Sequence, residues 1–153
     1  MELLLIEDDD IKADIIMEFL TEESKLTDSI IRKQSWQSGI IEIINNKEKY
    51  NLVLLDMSMP RYDANVGDVN EEFETFAGWD ILREMKRRDI ILKVCVITSF
   101  DYFGEGENVL DSNTLNEELE EEFPKLYKGM IYFNSSQINW KEELKQLILK
   151  GSL

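Results

Sequence analysis

The sequence predicts an α/β fold, in which a parallel sheet carries helices on both faces. Five short apolar runs alternate with segments of helical periodicity, and this pattern is typical of successive βα units. With 153 residues, of which 43% are hydrophobic, the chain is long enough for one complete core but short for two. A single domain covering residues 1–153 is therefore expected.

The apolar runs are the predicted strands, since buried parallel strands have short apolar sequences without strict alternation. The second run is weaker than the others, and the third is the clearest central strand. The predicted strands cover residues 3–6, 29–33, 52–56, 94–97 and 130–133.

The segments between the strands have the 3.6-residue period of amphipathic helices. The first, over residues 10–21, presents an apolar stripe and has Asp8 or Asp9 as its N-cap, and Ser35 caps the second. The remaining helices are predicted over residues 78–88, 114–123 and 140–149. The residues expected to face inward are Ile11, Ile15, Ile16, Phe19 and Leu20 in the first helix, and Ile40, Ile41, Ile43 and Ile44 in the second.

Composition excludes several classes of function. The chain has no histidine, which removes histidine-dependent triads, histidine zinc sites and a histidine phosphocarrier. A formal net charge of −15 argues against nucleic acid as a partner, because phosphate backbones are bound by clustered Lys and Arg. No run approaches the ~20 apolar residues of a membrane span, so a cytoplasmic protein without a membrane partner is expected. The single Cys95 lies in an apolar run and is predicted to be a buried structural thiol.

Acidic residues follow the first and third strands directly. Glu7, Asp8 and Asp9 come after the first strand, and Asp56 comes at the end of the third. Parallel strands end at one edge of a sheet, so these carboxylates should lie together. Their repulsion is offset by a cation, and a set of oxygen ligands suits Mg²⁺. The pattern predicts phosphate chemistry on an aspartate.

Three motifs together resemble the receiver domain of bacterial two-component response regulators. They are Leu-Leu-Leu-Ile-Glu-Asp-Asp at 3–9, Leu-Leu-Asp-Met-Ser-Met-Pro at 54–60 and Val-Ile-Thr-Ser at 96–99. The resemblance covers almost the whole chain and implies the flavodoxin-like (βα)5 fold with strand order 2-1-3-4-5. It also implies a signalling protein rather than an enzyme. Because the chain ends just after the fifth helix, an atypical, stand-alone receiver is expected.

The resemblance also assigns roles to individual residues. Asp56 becomes the acceptor of a phosphoryl group from a sensor histidine kinase, and Mg²⁺ becomes the cofactor. The metal would be held by the carboxylates of Glu7, Asp8 and Asp56 and by the backbone carbonyl of Ser58. Thr98 would bind the phosphoryl group, Tyr132 would be the switch residue, and Ser58 and Phe100 would flank the phosphoryl group. An apolar Phe100 is expected to slow its hydrolysis.

One departure from the family concerns a lysine. Receivers normally carry it at the end of the fifth strand, where it pairs with the phosphoryl oxygens, and here Asn134 or Ser135 occupies that place. Lys128 comes several residues earlier in the chain. At ~3.3 Å per strand residue, it lies too far away to replace the missing lysine. Asn134 and Ser135 can donate a hydrogen bond to the phosphoryl group but cannot offset its charge. Phosphorylation is therefore expected to persist with a weaker conformational response.

The second departure is the length of two acidic segments. Residues 61–77 hold five acids and one base, and residues 101–123 hold nine acids and no base. Both follow strand ends, so they are expected to rim the site. The hypothesis is that these loops gate access and dock an unknown basic downstream protein.

Two alternatives remain open. A pseudo-receiver would keep the fold as an interaction module and would have lost phosphorylation with the lysine. A Mg²⁺-dependent phosphatase would need a second acid two residues after its nucleophile, and Ser58 occupies that position.

Overall fold

A parallel sheet of five strands forms the centre of the protein. The computed structural model describes residues 1–63 and 73–149. The strands are β1 (Glu2–Ile6), β2 (Ser29–Lys33), β3 (Leu52–Leu55), β4 (Val94–Thr98) and β5 (Tyr127–Tyr132), paired in the order β2-β1-β3-β4-β5. This arrangement confirms the predicted flavodoxin-like sheet.

Five α-helices in the described ranges cover the two faces of the sheet. They are α1 (Asp10–Glu18), α2 (Trp36–Asn46), α3 (Ala77–Arg87), α4 (Ser112–Glu122) and α5 (Asn139–Leu149). A turn of π-helix, Phe19–Glu23, prolongs α1. The side chains of Ser35 and Ser38 form a capping box at the start of α2. None of the helices described is long and apolar enough to cross a membrane.

Two apolar layers separate the sheet from its helices. Alternate strand residues point to opposite faces, so Leu4 and Ile6 pack in the layer beneath α2, α3 and α4. Leu3 and Leu5 pack in the other layer with residues of α1 and α5, where Trp140 is buried. Both faces are covered, and all residues of β3 and β4 are therefore buried.

Cys95 lies inside one of these layers. It is fully buried, and burial raises the pKa of its thiol to about 12, so the thiolate is disfavoured at neutral pH. The expectation of a buried structural thiol is confirmed.

The predicted apolar stripes contain two errors. Ile11 is 74% exposed, and its neighbour Lys12 is 4% exposed and takes the inward position on α1. In α2, Ile40 and Ile43 are buried while Ile41 is largely exposed. Successive residues of a helix point about 100° apart. An apolar residue next to a buried one can therefore face solvent, as Ile11 and Ile41 do.

Each acidic segment is held by a short antiparallel pair of strands. Met59–Pro60 pairs with Phe73–Glu74, and Tyr102–Phe103 pairs with Leu110–Asp111, both antiparallel. The pairing fixes the base of each segment close to the end of the preceding strand. Residues 64–72 of the first segment lie outside the described residues.

Gly78 lets the start of α3 approach the backbone just after β3. A Cβ at this position would lie 2.6 Å from the carbonyl oxygen of Asp56 and 3.0 Å from Cα of Met57. The Gly78 amide also donates a 2.9 Å hydrogen bond to the carbonyl of Met57. The contact sets the position of α3 against the loop that carries Asp56.

We expect Gly78→Ala to lower the free energy of unfolding by roughly 1–3 kcal/mol, since backbone atoms would have to move. Gly39→Ala in α2 is the matched control. Its Cβ would meet side-chain atoms of Ile6, and alanine favours helix by about 1 kcal/mol over glycine. Urea unfolding of both variants measures the difference, and equal losses would contradict the assignment.

Candidate functional site

Three carboxylates meet at the carboxyl edge of the sheet. Carboxylate oxygens of Glu7, Asp8 and Asp56 lie within 4.8 Å of one another. Glu7 and Asp56 are buried, and Asp8 is partly exposed. The structure therefore brings together the acids that follow two strands separated by about fifty residues.

The pairing of β1 with β3 explains this convergence. Ile6 lies opposite Leu55, and the Asp56 amide continues the ladder with a 3.1 Å hydrogen bond to the Ile6 carbonyl. Glu7 and Asp56 thus leave the sheet side by side. The Asp56 carboxylate is held by its Oδ1, which accepts a 2.8 Å hydrogen bond from the Met57 amide.

Asp9 has a structural role at the start of α1. Its Oδ1 accepts hydrogen bonds from the amides of Ile11 at 2.9 Å and Lys12 at 3.1 Å, so it is the N-cap of the helix. This cap fixes where α1 begins and hence which of its residues faces the sheet.

Lys12 is a member of the site that the sequence analysis missed. Its Nζ lies 2.6 Å from Oε1 of Glu7 and 3.4 Å from Oδ2 of Asp56. Nζ also donates a 2.9 Å hydrogen bond to the carbonyl of Ile97. A buried ammonium group therefore lies among the carboxylates.

Helical spacing could have identified Lys12. The buried residues Ala13, Ile16 and Leu20 define the inward face of the first helical segment, and Lys12 lies four residues before Ile16. A lysine in that register, next to a site with an excess of acids, predicts an inward ammonium group. The apolar character of Ile11 obscured this signal.

The pKa values of two acids reflect how little water reaches them. Burial raises the pKa of Asp56 to about 7; the Lys12 charge opposes this shift and Glu7 adds to it. Burial raises the pKa of Asp8 to about 6, with Glu7 again adding to the shift. One ammonium group does not fully compensate three carboxylates, so the site favours a further cation. Their oxygens fit the ligand preference of Mg²⁺.

Thr98 and Ser58 are held at neighbouring strand ends. Thr98 is buried, and its Oγ1 accepts a 3.2 Å hydrogen bond from the Phe100 amide. Ser58 donates from Oγ to the carbonyl of Thr75 at 2.9 Å, which ties the loop after β3 to the chain entering α3.

The residues after β5 form a local turn. Oδ1 of Asn134 accepts hydrogen bonds from the amide and hydroxyl of Ser136 in a local turn, and Ser135 is exposed. Tyr132 is 44% exposed, with its side chain outward. Phe133, directly after β5, is buried in the apolar layer with Trp140, and its ring centroid lies 5.8 Å from Nζ of Lys12.

A cavity of about 490 Å³ opens beside the carboxylates. Both acidic segments contribute to its wall, as the sequence analysis expected. Phe100 lies at the wall with a 53% exposed side chain. From the described parts of the two segments, the lining residues include Phe73, Thr75, Tyr102, Phe103, Gly104 and Glu105.

Part of the acidity of residues 101–123 is used within the fold. Glu122, at the end of α4, accepts a hydrogen bond from the Trp79 indole and pairs with Nε of Arg83 at 3.1 Å. Lys86 donates a 3.0 Å hydrogen bond to the Glu122 carbonyl. The basic face of α3 therefore stabilises the end of α4.

Solved structures similar to this chain define the class of fold. A response regulator receiver domain protein from Clostridium thermocellum is 16% identical and superimposes with a TM-score of 0.62, covering 98% of this chain and 95% of that one. A structure of the CheX–CheY–BeF3–Mg²⁺ complex from Borrelia burgdorferi matches with a TM-score of 0.64 at 14% identity. The match covers 100% of this chain and 90% of that one. The chain therefore has the fold of response regulator receiver domains, as its motifs predicted.

Curated proteins give a second line of comparison. The Detocs response regulatory protein DtcB of Enterobacter cloacae is 28% identical over 142 residues, covering 92% of this chain and 94% of that protein. The uncharacterized protein y4jR of Sinorhizobium fredii is 26% identical over 147 residues and covers 95% of both chains. No protein-family profile matches the chain.

We predict that the metal-free protein loses stability as pH rises from about 4 to about 7. The folded state raises the pKa of Asp8 and Asp56 above the ordinary value of 3.8, so it binds protons more tightly than the unfolded state. This contribution to stability is complete below pH 3.8 and is lost as pH rises through 6 to 7.

Asp8→Asn should therefore gain stability over the natural protein as pH rises. We expect the free energy of unfolding of Asp8→Asn to exceed that of the natural protein by about 1 kcal/mol at pH 7.5. The difference is this small because solvent screens the partly exposed Asp8. Urea unfolding with a chelator at pH 4 and 7.5 measures the difference, with Asp28→Asn, an exposed acid outside the site, as control. A gain that did not change with pH would contradict this account.

Proposed function

We propose that the chain is a phosphoacceptor receiver, which takes a phosphoryl group on Asp56 with Mg²⁺ and signals through protein contacts. The observation that carries this proposal is the placement of a buried Asp56 beside Glu7 and Asp8, at the mouth of an open cavity. The receiver fold and the response regulator among its relatives support it.

The chemistry requires positioning and charge compensation more than it requires acid or base catalysis. Glu7, Asp8 and Asp56 would hold Mg²⁺, together with the carbonyl of Ser58. When bound, Mg²⁺ supplies positive charge that offsets the donor and acceptor oxygens. The Met57 amide orients the Asp56 carboxylate towards the cavity, and Thr98 supplies a hydroxyl for the new phosphoryl group.

A sensor histidine kinase is the proposed donor, as the resemblance to response regulators implies. Among the solved structures, CheY6 from R. sphaeroides forms a complex with the P1 domain of CheA3, at 15% identity to this chain and a TM-score of 0.61. Exposed aromatic side chains at the cavity rim, Phe73, Phe100 and Tyr102, provide contact area for such a partner.

The acidic segments are proposed to dock a basic downstream protein. Residues 101–107 carry three acids on the described part of the rim, while residues 64–72 lie outside the described residues. Charge at a rim mainly affects the rate of association and the rejection of wrong partners. Tyr132, which is partly exposed, is proposed as the residue whose orientation reports the phosphorylated state.

A pseudo-receiver is the second candidate. It is favoured by the absence of a lysine at the end of β5, where Phe133, Asn134 and Ser135 follow Tyr132. Such a module would use the same surface without accepting a phosphoryl group.

Incubation with acetyl phosphate and Mg²⁺ distinguishes the two candidates. We expect the intact mass to increase by one phosphoryl group, and we expect Asp56→Asn to remove the increase because the acceptor oxygen is lost. Beryllofluoride with Mg²⁺ should change the spectra of the natural protein only. If neither reagent affects the natural protein, the pseudo-receiver is correct.

Phe100 should protect the phosphoryl group from water. We expect Phe100→Glu to speed loss of the phosphoryl group by about tenfold, equivalent to ~1.4 kcal/mol in the barrier, because a carboxylate at the rim can orient water. Ile91→Glu, an exposed residue away from the cavity, is the control. The decay of the phosphorylated mass after donor removal measures both, and equal decay rates would disprove the shielding role.

A further inference from the structure

The buried ammonium group of Lys12 has a place in the reaction that follows from its contacts. We propose that Lys12, on α1, binds the oxygens of the phosphoryl group on Asp56 and replaces the strand-end lysine that this chain lacks. The inference rests on the proposed function, since it assigns a residue to the same reaction.

Distance is the first argument. Nζ of Lys12 lies 3.4 Å from Oδ2 of Asp56, just beyond a good hydrogen bond. A phosphoryl group on Asp56 places three further oxygens around a phosphorus atom bonded to that carboxylate. A phosphoryl oxygen bound to that carboxylate would therefore lie close to Nζ.

The hydrogen-bonding capacity of the ammonium group is the second argument. Lysine has three N–H donors. One donates to the Ile97 carbonyl at the end of β4, while the carboxylates of Glu7 and Asp56 face Nζ as ion pairs at 2.6 Å and 3.4 Å. Transfer of the Asp56-facing donor to a phosphoryl oxygen keeps the other two contacts in place.

The third argument concerns the residues that follow β5. Phe133 is buried, packs at 5.0 Å from Trp140, and has its ring centroid 5.8 Å from Nζ of Lys12. The side chain of Asn134 accepts a hydrogen bond from the Ser136 amide in a local turn. An aromatic ring on this side stabilises the ammonium group through a cation–π contact. The cation of the site therefore comes from α1 and lies beside the end of β5.

Charge is the fourth argument. A phosphoryl group adds about −1.5 to −2 beside carboxylates that are already buried. Neutral donors such as Thr98 cannot offset that charge, while a buried lysine can. No other lysine or arginine side chain lies among the residues that line the described cavity.

Lys12 does not exchange a proton during the proposed transfer from acetyl phosphate to Asp56. A carboxylate oxygen of Asp56 forms a bond to the phosphorus of acetyl phosphate, and the bond from phosphorus to the acetate oxygen breaks. Acetate leaves with that electron pair. Lys12 keeps its proton throughout and donates an N–H to the transferred oxygens.

A structure of the natural protein with beryllofluoride and Mg²⁺ tests the placement directly. We expect Nζ of Lys12 within about 3.2 Å of a fluoride on the Asp56 adduct. An adduct in which Nζ contacts only Glu7 and the Ile97 carbonyl would overturn the inference. This measurement does not rely on any variant being able to fold.

Lys12→Met gives a second test, with Lys145→Met, an exposed lysine on α5, as the matched control. We expect beryllofluoride affinity at saturating Mg²⁺ to fall at least tenfold in Lys12→Met. Mg²⁺ affinity without beryllofluoride should rise, since a cation that competes for Glu7 has been removed. A purely structural role would lower both affinities, and that result would contradict the proposal, as would unchanged affinities.

The natural protein separates failure of this inference from failure of the proposed function. If its mass does not increase with acetyl phosphate and its spectra do not change with beryllofluoride, the phosphoacceptor function itself fails. If it responds and Lys12→Met responds equally well, only the role of Lys12 fails. The double variant Lys12→Met with Asn134→Lys should regain part of the beryllofluoride affinity, because it restores a cation at a position where receivers carry their lysine.

Discussion

Two carboxylates that are almost completely shielded from water, Glu7 and Asp56, share the ammonium group of Lys12. Charges buried in this way are costly unless they are paired and hydrogen-bonded. Lys12 meets that requirement through Glu7, Asp56 and the Ile97 carbonyl, which belong to three different strand ends. The pairing therefore ties α1 to the carboxyl edge of the sheet.

The arrangement of the backbone prepares this contact. β1 and β3 pair so that Glu7 and Asp56 leave the sheet together, and the Asp9 cap sets the start of α1 so that Lys12 faces them. Gly78 then allows α3 to lie against the Asp56 loop. Each of these features acts on a different element, and together they hold the acidic cluster beside an open cavity.

The excess of negative charge at this edge gives the site its chemical character. Burial raises the pKa values of Asp8 and Asp56, and one lysine lies among three carboxylates. A divalent cation and a group with several acceptor oxygens can both be accommodated by such a site. The acidic segments at the rim extend the same negative field outward to where a partner would approach.

The sequence by itself determined the sheet, its strand order through the resemblance, the burial of Cys95 and the convergence of Glu7, Asp8 and Asp56. Apolar runs mark the strands locally, and parallel strands end at one edge of a sheet, so acids directly after such strands converge. Helical spacing allowed either Ile11 or Lys12 to face inward, and only the tertiary structure placed Lys12 inside and Phe133 beside its ammonium group. Those choices depend on the rotation of α1 and the exit angle of β5, and both are set by packing between segments far apart in the chain.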